Sequence, residues 1–119
     1  MSGLDQNLDL SFLLGEYLPL VAFGLYDVQL CFGRVKIIVF NHCEVRTPDK
    51  QTWKWESGRE NDMTMFRKLL DSEIESYKVV PGHELVIRFT NGCELTLTEE
   101  HDGHESFSFR FEDRSFIII

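Results

Sequence analysis

Val28-Gln29-Leu30-Cys31-Phe32-Gly33-Arg34-Val35-Lys36-Ile37-Ile38-Val39 decides the fold. Successive side chains of a strand point to opposite faces. A two-residue loop at Gly33-Arg34 sets Phe32 opposite Val35, Leu30 opposite Ile37, and Val28 opposite Val39. All of these apolar side chains then share one face, which fixes the register of an antiparallel hairpin. Glycine in the first loop position predicts a type II′ turn.

The pattern recurs. The stretches from Leu13 to Val39 and from Leu69 to Leu97 both open on Leu-Leu, turn at a glycine and alternate into a phenylalanine. Val28, Leu30 and Phe32 correspond to Leu85, Ile87 and Phe89; Val35, Ile37 and Val39 correspond to Cys93, Leu95 and Leu97. The step of about 57 residues is too long for a solenoid unit and reads as an internal duplication. In the second copy a two-residue Asn91-Gly92 loop would set Phe89 opposite Glu94 and spoil the apolar face. A three-residue loop, Thr90-Asn91-Gly92, sets Phe89 opposite Cys93 and Ile87 opposite Leu95, with Gly92 as the left-handed residue of a bulge.

Outside the repeat, two helices are expected. Ser57-Gly58-Arg59-Glu60 has the capping-box pattern, and Met63, Phe66 and Leu70 follow at helical spacing. That predicts a helix at about 58–70 joining the repeat halves, approximately 13–56 and 69–119. A shorter helix would be capped by Asp9, bury Leu10, Leu13 and Leu14, and stop at Gly15. Thr47-Pro48-Asp49-Lys50 is a turn, and Gln51 to Glu56 a short strand. Phe107, Phe109 and Phe111 alternate, turn near Glu112-Asp113 and return through Phe116 to Ile119 as a closing hairpin. The fold class read from this is α+β: mostly antiparallel sheet in two related halves, with one or two helices packed on the sheet. The chain of 119 residues is read as a single domain, 1–119. Its expected core includes Leu30, Phe32, Ile37, Ile87, Phe89, Leu95, Phe107 and Phe109.

Composition narrows the function classes. Apolar residues are 43% and charged residues 27%, a globular balance. No uninterrupted apolar run exceeds about four residues, as at Phe116 to Ile119, far short of the ~20 residues of a membrane span. Three cysteines, with no leader pattern at the N-terminus, point to a reducing cytoplasm. Twenty acids against twelve bases give −8, which argues against a nucleic-acid backbone as partner.

Motifs for chemistry are weak. His101 and His104 lie among carboxylates, but zinc needs three or four converging ligands, and a polar turn supplies ligand types without convergence. No metal is expected there. His42 and Cys43 are neighbours on a strand and point to opposite faces, so they do not form a thiolate–imidazole pair. Cys93 falls on the apolar face as a small hydrophobe, and Cys31 on the opposite face. The chain has no phosphate loop, dinucleotide fingerprint or nucleophile elbow. The expectation is a protein that is not an enzyme and carries no cofactor.

Two features rise above this background. Residues 58–119 carry 13 acids and 7 bases, and between Arg88 and Arg110 there are five acids and no Lys or Arg: Glu94, Glu99, Glu100, Asp102 and Glu105. Such a stretch is either a solubility face or a patch that steers a basic partner. Trp53 and Trp55 fall on one face of a strand, where they either cover the core or anchor an interface.

Gly24-Leu25-Tyr26-Asp27-Val28-Gln29-Leu30-Cys31-Phe32, the later Phe89 to Leu97, and His-Glu-Ser-Phe at 104–107 with the Ile-rich terminus together resemble a family of small, functionally uncharacterised bacterial proteins. These are similar in size and acidity to immunity proteins of toxin–immunity systems. The resemblance implies a cytoplasmic, non-enzymatic binding protein that neutralises a basic toxin. Glu94, Glu99, Glu100, Asp102 and Glu105 are the candidate contacts on charge, and Trp53 and Trp55 the candidate anchors. Two rival readings stay open. One is a structural or homo-oligomeric domain associating through the apolar C-terminal strand. The other is a small-ligand or metal-binding protein using the 99–105 loop.

Overall fold

The alternation that marks the hairpins becomes two stacked sheets. A computed structural model describes residues 3–5, 7–100 and 105–119. Ten strands form in chain order: β1 Leu20–Phe23, β2 Val28–Cys31, β3 Val35–Val39, β4 His42–Arg46, β5 Thr52–Glu56, β6 Ile74–Val80, β7 Glu84–Phe89, β8 Glu94–Thr98, β9 Phe107–Phe111 and β10 Phe116–Ile118. The first sheet has the order β1-β2-β3-β9-β10, the second β5-β4-β8-β7-β6, and all pairings are antiparallel.

The strand orders contain a two-fold relation. Each half of the chain gives a three-stranded meander to one sheet and a two-stranded hairpin to the other. Thus β1-β2-β3 is completed by β9-β10, and β6-β7-β8 by β4-β5. The relation reaches single hydrogen bonds. Gly15 N–H donates to Ile74 O at 2.8 Å and Asp71 N–H to Leu18 O at 3.0 Å; Leu18 N–H donates to Ser72 O and Ile74 N–H to Glu16 O. In each pair one bond becomes the other when residue numbers are shifted by 56. Tyr17 bridges Glu73, its own equivalent under that shift, so the pseudo-dyad passes through this bridge.

The inner faces meet in one core. Leu30, Phe32, Ile37, Ile87, Phe89, Leu95, Phe107 and Phe109 are all buried. Phe32 of the first sheet stacks on Phe89 of the second, ring centroids 6.5 Å apart. Each fully buried aliphatic or aromatic side chain contributes about 1.5–3 kcal/mol relative to exposure.

The turns follow the parity argument with one correction. Phe32 N–H donates to Val35 O, so the first loop is the two residues Gly33-Arg34. Gly33, however, is absent from the positive-φ glycines, so the turn is not the expected type II′, which requires φ > 0 there. The second loop is Thr90-Asn91-Gly92, closed by Phe89 N–H to Cys93 O at 2.8 Å, with Gly92 at φ +87°.

The helical expectations are overturned: the chain is nearly all β, not α+β. The helix placed at 58–70 shrinks to α1, Thr64–Arg67. Ser57 does not cap it, because its hydroxyl donates to Tyr26 O at 2.7 Å, and Gly58 at φ +70° turns the chain out of the helical path. Glu60 is exposed, and the N-cap position falls on Met63 with no side-chain cap; Asp62, one residue earlier, accepts Thr64 N–H at 2.9 Å in a local turn. The buried face is Met65, Phe66 and Leu69, while Met63 and Leu70 are half-buried. The first helix is a single 3-10 turn, Ser11–Leu13. Its N-cap is Leu10 and not the expected Asp9, whose carboxylate accepts Ser11 N–H in the turn just before; Leu10 and Leu13 are buried, but Leu14 is exposed. Neither turn is long enough to form a helical layer on a sheet.

Candidate functional site

The acidic stretch is built from the end of β8 and the loop that follows. Glu94 opens β8, opposite Arg46 of β4 and Arg88 of β7, with its carboxylate 4.0 Å from the Arg88 guanidinium. Glu99 reaches the N-terminal segment, where Oε2 accepts Leu4 N–H at 3.3 Å. Glu100 lies 3.3 Å from His42 Nδ1, and its N–H donates to the Ser106 hydroxyl at 2.8 Å. Glu105 Oε1 sits 3.7 Å from Arg110, whose guanidinium covers the Phe116 ring at 5.1 Å. Asp102, with His101 and His104, lies outside the described residues. The four described acids therefore each face a donor or cation of this chain, which sequence spacing alone did not reveal. Arg88 faces Glu94 across the β7-β8 hairpin and Arg110 lies five residues beyond Glu105, while His42 comes from β4, far away in sequence.

The tryptophans share the inner face of β5, opposite Val45 and Cys43 of β4. Trp55 is buried in the core and Trp53 is half-buried against it. Cys43 beside them is buried too, and burial pushes its thiol up to about 12, so it holds its proton at neutral pH. Among the described residues, no cluster of three or more His, Cys, Asp or Glu side chains could hold a metal ion. Among the described residues, no helix is long and apolar enough to cross a membrane.

Further exposed carboxylates lie elsewhere. Asp71, Glu73 and Glu75 run through the pseudo-dyad into β6, all three exposed. The Tyr17 hydroxyl donates to Asp71, and that bond raises the tyrosine's pKa by favouring the protonated phenol. Charge spacing over 71–75 could have singled these residues out, but they were masked in the sequence by the helix expected just before them.

The outer faces of the two sheets differ sharply. On the second sheet one row reads Lys54, Glu44, Thr96, Val86, Lys78, and the next Thr52, Arg46, Glu94, Arg88, Ser76. Opposite charges neighbour one another across strands, as on a solvated face. On the first sheet the rows read Leu20, Cys31, Lys36, Arg110, Phe116 and Ala22, Gln29, Ile38, Ser108, Ile118. No acid stands in either row.

The exposed large apolar side chains are concentrated at one edge of that first sheet. Tyr17, Leu20, Phe23, Leu25 and Tyr26 are all exposed there, with Leu25 at 79%; Leu14 lines a separate hollow with Arg34 and Phe111, and Phe116 and Ile118 are exposed on β10 at the opposite edge. Beside β1 a groove of about 340 Å³ opens between the strand and α1, lined by Val21, Phe23, Met63, Phe66, Arg67 and Leu70. Sequence alternation did not single this edge out, because its apolar residues read as another core strand.

Comparison of the chain with protein-family models, curated proteins and solved structures returned no match.

Proposed function

We propose that this chain is a small non-catalytic binding protein of immunity type, whose partner is a basic protein that it neutralises by covering. The observation that carries the reading is the placement of charge. The molecule has a net charge of −8, and Asp71, Glu73 and Glu75 present exposed carboxylates along one edge. Such a field raises the encounter rate with a basic surface. Glu94, Glu99, Glu100 and Glu105 contribute to the field from further round, but their inward contacts leave them less free to meet a partner.

The test uses native lysate, the wild-type chain and two charge reversals. In the first variant Asp71, Glu73 and Glu75 become lysine; in the second Glu99, Glu100 and Asp102 do. A basic protein retained by wild type is expected to associate about tenfold more slowly with the first variant, and added salt should narrow the gap. The second variant should lose less. Capture indifferent to salt and to both reversals, or of an acidic protein, refutes the reading.

A further inference from the structure

We propose that β1 is a self-association edge, through which two copies pair antiparallel strands into one continuous ten-stranded sheet. This goes beyond the basic-partner reading and uses a different surface.

The two-fold relation supplies an internal control. β1 and β6 are equivalent edge strands, linked by the same shift of 56 residues. An open edge templates pairing with another chain unless charge, proline or a bulge blunts it. β6 is blunted: Glu73, Glu75 and Lys78 are exposed, and its register breaks between Ile74 and Ser76. At the equivalent positions stand Tyr17, Pro19 and Ala22; Pro19 lies just before β1, and the strand itself, Leu20–Phe23, carries no charge, no proline and no break in register. From Tyr17 to Tyr26 the chain carries no charged residue. Two molecules of net charge −8 repel over most of their surface, and here they meet without a charge to bury.

Geometry selects the second copy and its register. Gly24 N–H donates to Asp27 O at 2.9 Å, so by alternation Leu20, Ala22 and Gly24 turn their main chain toward β2. Val21 and Phe23 turn theirs outward, as does Pro19, which has no N–H to give. Antiparallel pairing must put like faces opposite each other. Centring the pair on Val21 would set Pro19 against Phe23 on both sides of the dyad and leave two Phe23 carbonyls without a donor. Centring it on Ala22 sets Val21 against the partner's Phe23 and the reverse, giving four main-chain bonds with Pro19 left outside. Each Phe23 then lies along the partner's groove between Val21 and Phe66. The exposed side chains of Leu20, Phe23, Leu25 and Tyr26 amount to about 500 Å² per copy, toward the lower end of specific interfaces. The dimer is therefore expected to dissociate in the micromolar range.

Sedimentation velocity of the full chain from about 1 to 500 µM tests this. Wild type should pass from monomer to dimer. Ala22→Lys copies the residue that β6 carries at the same place, so the fold should accept it. It sets two ammonium groups across the dyad and should raise the dissociation constant at least 100-fold. Lys78→Ala on β6 should leave association unchanged. A second readout does not depend on charge. Ala22 faces its copy in a non-hydrogen-bonded pair, with Cα atoms about 4.5 Å apart. The Ala22→Cys variant should therefore form an intermolecular disulfide with oxidised glutathione as acceptor of the two electrons, at a rate above that of wild type. A wild type that stays monomeric at 500 µM overturns the proposal. So does a dimer that Ala22→Lys leaves intact, or capture of a foreign strand by β1 in place of a second copy.

Discussion

Replacing Phe89 by alanine tests whether the two sheets meet where the repeat places them. Phe89 is fully buried on β7 and stacks across the core on Phe32, its rings inclined by 18°. Truncation removes about 100 Å² of apolar surface, or about 2.5 kcal/mol at ~25 cal/mol/Å². The cavity walls are strands held by neighbours on both sides, so they close only partly. A residual void of about 60 Å³ adds about 1.5 kcal/mol at ~24 cal/mol/Å³. The expected loss is about 4 kcal/mol, a large share of the roughly 5–15 kcal/mol that holds a small domain together. Phe32 is 6% exposed at the edge of the core, and its truncation should cost about 3 kcal/mol. If the rings touch, the double variant should lose about 0.5–1.5 kcal/mol less than the sum of the singles. Urea unfolding followed by the emission of buried Trp55 measures all three. A loss below about 1.5 kcal/mol for Phe89→Ala, or no coupling between the pair, would show that the sheets do not pack face to face through these residues.

Burial of Cys43 predicts a pH dependence. Its pKa rises from an ordinary 9.0 to about 12, so the folded state keeps a proton that the unfolded state releases. The stability this contributes is complete below pH 9 and is lost as pH rises toward 12; Cys43→Ala should flatten that decline in urea titrations between pH 8 and 10.5. The thiols should also differ in kinetics, half-buried Cys31 reacting with a disulfide reagent in the native state and Cys43 only on unfolding. The glycine turns separate in the same way. Gly92→Ala meets both φ +87° and a contact of 2.8 Å with Pro48, and should cost about 1–3 kcal/mol. Gly33→Ala meets nothing within 4 Å and should change stability by about 0.5 kcal/mol or less, both read from thermal unfolding.

The strands were legible because parity is local. Once Phe32 and Phe89 are required to face inward, loop length follows, and the core residues fall on one side of each strand. The helices were misread because a capping pattern shows only what a side chain can bond, not what competes for it. Ser57 found Tyr26, thirty-one residues away, and the helix lost its start. The contacts of the acidic stretch were hidden for a related reason. Glu100 beside His42 and Glu105 beside Arg110 are pairings made by the fold, and such acids look free in the sequence until their partners arrive. The β1 edge was hidden by its own composition, since an uncharged apolar strand reads as core whether or not another strand covers it.

The exchange of hairpins between the halves constrains how the molecule can come apart. Without β9 and β10 the β3 edge stands open; without β4 and β5 the β8 edge does. Neither meander has a closed sheet or a complete core alone, so half of the chain cannot melt while the other survives. Every route to the native state must bring together strands about fifty to seventy residues apart, β4 with β8 in one sheet and β3 with β9 in the other, before either sheet is finished. The covalent link across residues 57–63 is not itself part of either sheet. A chain of half this length could close the same sandwich only as a pair, each copy lending its hairpin to the other. The connecting loop thus sets the effective concentration of the two halves rather than their arrangement.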